Sequence, residues 1–364
     1  MSNNFKPNIL LIPKDKQGCG FYRMLMPANY LNKTGLANAE VSYDVMNKQM
    51  AEWANIIVLQ RPSSYEMAEF IQYWKANGKR VIFEIDDFMQ GILPDNPGKT
   101  FWESVGGMTT RAMHCMSLCD AVTVSTPRLQ REYSFYNRKI HTLPNYIDRE
   151  LWEKPLKNKK FYEERRDDDI IRIGWEGCVG HRQDLELVAK VLEDLIIEYK
   201  GKVHLVMMGF TPLDVFLKLP NMHQNCPECK HSGPLEYYPT VPLLEYATRL
   251  RELAFDIGIA PTVSVSFNDA KSDLRFKEYA MLGIPTVASD VPAYNESIKH
   301  NTTGILCKDS YNAWYKALKL LIDNEQKRKE MGKNAKIWAE TNLMEDNIIK
   351  WAQVYNKVFG EVVN

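Results

Sequence analysis

The chain has 364 residues, a length that favours two domains of roughly 150–200 residues each. Its 46 basic and 46 acidic side chains balance, so no overall field draws it to nucleic acid or to an anionic membrane. No apolar run is long enough for a transmembrane helix, the N-terminus lacks a signal-peptide pattern, and the seven scattered cysteines fit a reducing compartment. We therefore expect a cytoplasmic protein without a membrane span.

Short apolar, β-branched segments alternate with helical periods through the first half of the chain. We predict strands at 8–13, 41–45, 56–60, 81–85, 121–125 and 140–143. Because strands that alternate with helices form parallel sheets, this half is predicted to be a doubly wound α/β domain.

Polar residues follow two of these strands, at the edge where parallel sheets bind ligands. The turn after the first strand, GCGFYR, contains Gly20 and Arg23 but lacks the third glycine and the acid of a dinucleotide fingerprint. It is either a ligand-binding turn or a plain βα connection. Asp86 and Asp87 end the fourth strand, where paired acids can bind a metal or act in acid–base chemistry. His114 lies in a predicted helix, either as a polar group at a ligand site or on a packed face.

The second half repeats the α/β pattern after a charged stretch. Residues 153–169 contain few apolar side chains and are predicted to be an interdomain linker. Strands are expected at 171–175, 203–208 and 285–289, with an amphipathic helix from 185 to 196. The turn before that helix, EGCVGHRQD, carries His181 and Arg182.

One short segment, HQNCPECKH, has the spacing of metal ligands. A C-x₂-C pair between two histidines can complete a tetrahedral structural zinc site, but a second C-x₂-C pair is missing. A loop of thiols without metal is the alternative. The residues concerned are His223, Cys226, Cys229 and His231.

The stretch from Asn268 to Tyr294 carries the strongest functional pattern. A polar turn is followed by a short predicted helix that ends at Gly283, and an apolar strand comes next. Lys271 and Arg275 are four residues apart, so we expect them on one helix face, with Glu278 close by. A helix N-terminus with added cations suits phosphates, and a carboxylate one turn on suits vicinal hydroxyls. The pattern predicts a site for a nucleoside diphosphate.

This stretch, KSDLRFKEYAMLGIPTVASD with PAYNE and NTTGILC after it, resembles the C-terminal signature of retaining, GT-B-fold glycosyltransferases of family four. LPNYIDRELW also resembles the segment that closes the N-terminal domain in that family. The family's second acid matches Glu278, but its first acid falls on Ala270, so Asn268 or Asp269 is the candidate replacement.

The resemblance implies a fold and a division of labour. It predicts two Rossmann-like domains facing a cleft, with an acceptor-side domain at 1–152 and a nucleotide-sugar domain at 170–342. The helix at 343–364 is expected to cross back to the first domain. Lys271 and Arg275 are the implied catalytic cations. The implied donor-binding residues are Gly20, Arg23, Arg182, Ser272, Asp273 and Glu278, and the acceptor-side candidates are Asp86, Asp87, His114 and His181.

The resemblance implies transfer of a sugar from a nucleoside-diphosphate sugar to a hydroxyl acceptor. No catalytic metal is expected, because cations and a helix N-terminus can stabilise the diphosphate. The acceptor is expected to be a glycan or a glycolipid, with a modified DNA base as an outlier. Other GT-B sugar-nucleotide enzymes, such as an epimerase or a phosphorylase, and a non-catalytic nucleotide-sugar-binding module remain alternatives.

Overall fold

The computed structural model describes residues 6–45, 47–92, 99, 107–209, 212–222 and 233–360. The strands are β1 Asn8–Ile12, β2 Asn38–Val41, β3 Ile56–Gln60, β4 Arg80–Ile85, β5 Ala121–Val124, β6 Ile140–Thr142, β7 Ile171–Gly177, β8 Val203–Gly209, β9 Leu235–Tyr238, β10 Ile257–Ala260, β11 Thr286–Ser289 and β12 Gly304–Cys307. The helices are α1 Gly18–Gly20, α2 Met26–Thr34, α3 Lys48–Trp53, α4 Tyr65–Ala76, α5 Met108–Leu118, α6 Pro127–Tyr133, α7 Arg149–Trp152, α8 Lys159–Asp167, α9 Arg182–Tyr199, α10 Asp214–Leu217, α11 Leu243–Glu252, α12 Ser266–Asp269, α13 Leu274–Met281, α14 Pro292–Asn295, α15 Tyr311–Asp323, α16 Glu325–Ala339 and α17 Met344–Gly360.

The strands form two parallel sheets of six strands each. One sheet has the order β2-β1-β3-β4-β5-β6, and the other has the order β12-β11-β10-β7-β8-β9. The order reverses between β1 and β3 in the first sheet and between β7 and β10 in the second. Ligands of doubly wound sheets bind outside the carboxyl ends of the strands at such reversals. The fold therefore marks one candidate edge in each sheet.

The chain divides into two compact units. Unit 1 comprises the described residues of Met1–Asp148, Asp269–Ser272 and Leu343–Asn364, and unit 2 comprises those of Arg149–Asn268 and Asp273–Asn342. The short segment Asp269–Ser272 thus belongs to unit 1, although the sequence on both sides of it belongs to unit 2. Each unit is a Rossmann-like domain around its own sheet, as the sequence predicted.

Burial explains why most of the predicted strands agree with the structure and why one of them was placed wrongly. Central strands such as β3 are buried along their whole length, so they appear in the sequence as continuous apolar runs. The strand expected at 41–45 is instead β2, Asn38–Val41, which pairs with β1 at the edge of the sheet. Only Ala39 of this strand is buried, so its sequence carries little periodic signal.

The predicted linker is wrong, because much of it folds as part of unit 2. Residues Lys159–Asp167 form α8, and its Arg165 is 8% exposed. Arg165 Nη1 donates to Glu236 Oε2 at 2.6 Å, and His204 Nδ1 lies 2.9 Å from Glu236 Oε1. Charged residues in a polar stretch are usually exposed to solvent, but here the buried ion pair between Arg165 and Glu236 attaches the helix to β9.

This buried ion pair predicts acid sensitivity in unit 2. Burial alone would raise the pKa of Glu236, but the hydrogen bond from His204 and the charge of Arg165 outweigh it and lower the pKa to about 2. A carboxylate whose pKa is lowered by folding stabilises the protein above its unfolded pKa of about 4.3, and that stability is lost as the pH falls toward 2. The contribution is about 3 kcal/mol at pH 7.

We expect Glu236→Gln to have a lower urea midpoint of unfolding than the unmodified protein at pH 7. The difference between the two midpoints should become smaller toward pH 3. Urea titrations at both pH values measure this. Glu163→Gln on the exposed side of α8 is the matched control and should change neither midpoint. An equal loss at both pH values would show that Glu236 contributes through packing rather than through its charge.

None of the described helices is long and apolar enough to cross a membrane. The candidate zinc ligands His223, Cys226, Cys229 and His231 lie outside the described residues. Within the described ranges, no group of histidine, cysteine and acidic side chains is arranged to hold a metal ion.

Candidate functional site

The reversal edge of the unit 2 sheet holds a charged pair with an aromatic platform. Arg275, in the first turn of α13, donates from Nε to Glu176 Oε1 at 3.0 Å, and Glu176 lies at the carboxyl end of β7. The guanidinium also lies over the ring of Trp175, 5.3 Å from its centroid. Burial alone would lower the pKa of Arg275, but the charge of Glu176 outweighs it and the pKa is raised. The residue is therefore a fixed cation, 11% exposed.

The rest of α13 supplies a held carboxylate and an N-terminus without a side-chain cap. Glu278 is 5% exposed, and its Oε2 accepts a hydrogen bond from Tyr246 Oη at 3.0 Å. Asp273 occupies the N-cap position, but its carboxylate binds Lys277 and Ser297 and does not cap the helix. Helix N-termini with uncapped N–H groups bind anions. The helix thus combines an anion-binding end with an acceptor for hydroxyl groups.

Asp184 is a residue that the sequence reasoning missed. It is 3% exposed in the first turn of α9, and its Oδ1 accepts hydrogen bonds from Val263 N at 2.7 Å and Asn268 Nδ2 at 3.3 Å. Its Oδ2 lies 2.7 Å from His181 Nδ1. One buried carboxylate thus orients His181 and the loop after β10. The signal in the sequence was an acid directly before the apolar stripe of a helix.

Arg182 is a weaker candidate for ligand binding than Arg275. Its Nη1 and Nη2 donate to the two carboxylate oxygens of Asp214 at 2.8 and 2.6 Å, and its side chain is 44% exposed. A surface pair of this kind contributes little to stability. The pair also engages both terminal nitrogens of the arginine that was predicted to bind the donor, whereas Arg275 meets Glu176 through Nε.

In unit 1, Arg23 is a buried structural cation. Its side chain is 0% exposed and binds Glu84 through Nε at 2.6 Å and through Nη2 at 3.1 Å. Its Nη1 donates to Asn145 Oδ1 at 3.0 Å, and Asn145 Nδ2 donates to Ser272 Oγ at 2.9 Å. Arg23 was predicted to bind the donor, but all three nitrogens of its guanidinium bind protein groups. We therefore leave it out of the proposed donor site.

The glycine-containing turn after β1 is held by backbone hydrogen bonds to the carboxylate of Asp15. Asp15 Oδ1 accepts from Gln17 N at 2.9 Å and from Gly20 N at 3.1 Å. A Cβ at Gly20 would lie 2.0 Å from the carbonyl oxygen of Asp15, so the close approach of the backbone explains the glycine. This geometry favours the plain βα connection. We therefore do not include Gly20 in the proposed donor site.

The segment Asp269–Ser272 shows why the family's first acid is replaced. Ala270 is 1% exposed in the apolar core of unit 1, and its carbonyl accepts from Thr126 Oγ1 at 2.9 Å. A carboxylate there would be desolvated. Lys271 lies before α13 and interacts electrostatically with Asp87. The prediction that Lys271 shares a helix face with Arg275 is therefore wrong, because the helix begins only at Leu274.

The acceptor-side candidates of unit 1 have different surroundings. Asp86 and Asp87 follow β4, and Asp87 Oδ2 lies 3.6 Å from Arg61 Nη1. Burial raises the pKa of Asp87, as does the charge of Asp86, against the opposing charges of Arg61 and Lys271. His114 is exposed on α5, so its alternative as a histidine on a packed face is wrong. The fourth candidate, His181, belongs to unit 2, where its ring contacts the Asp184 carboxylate.

Comparison with known proteins adds a family match over part of the chain and a shared fold. Residues 275–338 match the family model of glycosyl transferases group 1. A search of curated protein sequences finds no significant match. Among solved structures, HepE of Anabaena, in complex with UDP and glucose, has a TM-score of 0.66 at 11% identity and covers 98% of this chain and 100% of its own. Starch synthase IV of Arabidopsis thaliana, bound to ADP and acarbose, has a TM-score of 0.67 at 11% identity with the same coverage. WaaG, a glycosyltransferase of lipopolysaccharide biosynthesis, has a TM-score of 0.62 at 12% identity and covers 95% of this chain and 99% of its own.

The match begins at Arg275 and contains Glu278, so it falls on the helix that the geometry singles out. The match and the shared fold confirm the predicted resemblance to glycosyl transferases group 1 and the predicted GT-B fold of two Rossmann-like domains. The family match also confirms the prediction of a glycosyltransferase enzyme.

Proposed function

We propose that this protein transfers a sugar from a nucleoside-diphosphate sugar to a hydroxyl group of a glycan or glycolipid, with retention of anomeric configuration. The observation that carries the proposal is the pairing of Arg275 and Glu278 one helical turn apart on α13, whose first turn reaches the end of β7. A fixed cation and a helix N-terminus suit a diphosphate, and a held carboxylate suits ribose hydroxyls.

The chemistry needs stabilisation of charge rather than a protein nucleophile. The bond between the anomeric carbon and the diphosphate oxygen breaks, and the acceptor oxygen bonds to the same face of that carbon. The acceptor proton passes to the leaving phosphate. Negative charge grows on that phosphate as the bond breaks, so a cation placed beforehand lowers the barrier. Arg275 is the proposed cation in unit 2, and Lys271 is retained as a second one on sequence grounds.

Three further donor-side assignments belong to the proposal. His181, oriented by Asp184, and the uncapped N-terminus of α9 are assigned to the donor rather than to the acceptor. Asn268, whose amide binds Asp184 and Val263, takes the place of the family's first acid near the donor sugar. No divalent metal is required, so activity in EDTA should equal activity in Mn²⁺. UDP is the first nucleotide to test.

Glu278 provides the experiment that tests the donor site. We expect Glu278→Gln to weaken UDP binding by about 10- to 150-fold, because a charge-assisted hydrogen bond contributes about 1.5–3 kcal/mol. Binding of 2′-deoxy-UDP should change much less, since the carboxylate is assigned to the ribose hydroxyls. Calorimetric titration of both nucleotides measures the two effects.

The matched control is Glu186→Gln, an exposed carboxylate on α9 of the same unit, which should leave both affinities unchanged. If the first titration finds no UDP binding, ADP and GDP replace UDP in the same design. Unchanged affinity of Glu278→Gln for the bound nucleotide would remove the donor-site assignment.

A non-catalytic nucleotide-sugar-binding module is the second candidate, and the buried Ala270 in place of an acid is the observation that favours it. It predicts nucleotide binding without release of UDP from UDP-glucose on any acceptor. The DNA acceptor that the sequence left open finds no support in the matched structures.

A further inference from the structure

The reversal edge of the unit 1 sheet carries a second polar group of residues. It lies at the carboxyl ends of β1, β3 and β4, where the strand order reverses between β1 and β3. We name it the switch-point cluster, and its members are Asp15, Cys19, Gln60, Arg61, Asp86 and Asp87. Of these, only the two last were singled out by the sequence.

Arg61 is the centre of the cluster and has a strained backbone. Its Nη2 lies 3.0 Å from Asp15 Oδ2, and its Nη1 lies 3.6 Å from Asp87 Oδ2. Its φ angle is +50°, a left-handed conformation that residues other than glycine rarely adopt. Strain of this kind persists where the surrounding structure holds a residue for a function. The guanidinium is thus fixed between two carboxylates at the strand ends.

Three buried polar atoms of the cluster have no hydrogen-bond partner within the described part of the chain. They are the donors Gln60 Nε2 and Arg61 Nε and the acceptor Asp86 Oδ1. Gln60 is 3% exposed, and its Oε1 accepts from Lys14 N at 2.9 Å, which holds its amide against the backbone that follows β1. Buried polar groups are normally paired, so two orphaned donors and one orphaned acceptor at one edge indicate a ligand.

The charges of the cluster select the chemical class of that ligand. A metal cation is disfavoured because the Arg61 guanidinium lies between the carboxylates that would bind it. An anion such as phosphate is disfavoured because the three carboxylates of Asp15, Asp86 and Asp87 outnumber the two cations that act on them, Arg61 and Lys271. A hydroxyl group is neutral and both donates and accepts hydrogen bonds. Two neighbouring hydroxyls can satisfy all three orphaned atoms.

We propose that the switch-point cluster binds a vicinal diol of the sugar acceptor, with Asp86 Oδ1 accepting from one hydroxyl and Gln60 Nε2 and Arg61 Nε donating to the pair. The assignment of this sugar as the acceptor rests on the function proposed above. The diol site itself depends only on unit 1. Burial raises the pKa of the Cys19 thiol, as does the charge of Asp86, so Cys19 is a neutral member of the cluster.

The test is sugar binding measured by saturation-transfer difference NMR, in the presence of UDP. The probes are the methyl glycosides of glucose, galactose and mannose, each with its 2-deoxy or 3-deoxy analogue. We expect at least one intact glycoside to bind, and its deoxy analogue to bind about tenfold more weakly. Asp86→Asn and Gln60→Met should weaken the same glycoside by a similar factor.

Glu132→Gln, on α6 of the same unit, is the matched control and should bind as the unmodified protein does. Thermal melting confirms that each variant is folded. If Gln60→Met does not fold, Asp86→Asn, which keeps the shape of the native side chain, serves as the test alone. Binding of inorganic phosphate or Ca²⁺ at the cluster in place of sugar would overturn the proposal. So would the absence of glycoside binding, or glycoside binding that both variants retain.

Nucleotide titration of the same samples separates this inference from the proposed function. Sugar binding that depends on the cluster, without any nucleotide binding, would keep the diol site and remove the transferase. Nucleotide binding without sugar binding would remove the diol site and keep the proposed donor site.

Discussion

Replacing Arg275 with alanine is expected to lower the rate of UDP release from UDP-glucose by about 100- to 1,000-fold. Removing one group that stabilises charge in a transition state has an effect of this size. The effect should fall mainly on turnover, because the negative charge that Arg275 meets grows as the bond to phosphate breaks. Lysine should restore part of the rate, since it keeps the charge but not the planar contact with Trp175.

Two companion variants sharpen this test. Glu176→Gln removes the carboxylate that competes with phosphate for Arg275, so UDP affinity should hold or rise. Arg166→Ala removes a half-exposed arginine of unit 2 that pairs with Asp256, and it should change neither rate nor affinity. If Arg275→Ala turned over at the unmodified rate, the charge on the leaving phosphate would have to be met elsewhere, and Lys271→Ala would be the next variant.

Removing α17 is expected to unfold unit 1 and to leave unit 2 folded. The helix belongs to unit 1, where Trp351 and Tyr355 are 0% exposed and the guanidinium of Arg23 lies 4.9 Å from the Trp351 ring centroid. Its buried side chains contribute about 10 kcal/mol before conformational entropy is subtracted, which is comparable to the stability of a whole domain. A chain that ends at Asn342 should therefore show early proteolytic cleavage within 6–148.

A point variant tests the same packing more gently. Trp351→Ala should lower the free energy of unfolding of unit 1 by about 3–5 kcal/mol, because it leaves a large cavity beneath Arg23. Ile349→Ala, on the exposed side of the same helix, is the matched control and should cost less than about 0.5 kcal/mol. Limited proteolysis followed by mass spectrometry locates the first cleavage in each variant. Cleavage that begins in unit 2 would mean that α17 stabilises the other unit.

Local pattern was enough to predict the α/β class of both halves and the helix at the centre of the proposed donor site, whereas the GT-B fold was predicted from the family resemblance. The buried strands appear as apolar runs, and Gly283, with φ at +70°, ends the helix region where the sequence predicted. Arg275 and Glu278 could be singled out because a helix brings residues three apart together wherever it lies in the fold. These predictions rest on short-range geometry, which the order of residues along the chain determines.

The partners of the charged residues were decided only by the tertiary structure. Arg23 and Arg275 look alike in sequence, yet one is fully buried against Glu84 and the other lies at the edge of the unit 2 sheet, because strand order decides which side chains meet. Lys271 is two residues from unit 2 but belongs to unit 1. The placement of Gln60 and Asp86 at one edge of the sheet likewise requires β3 and β4 to be neighbours. Hydrophobic periodicity is a local property that the sequence states directly, whereas the environment of a charge depends on residues far away in the chain.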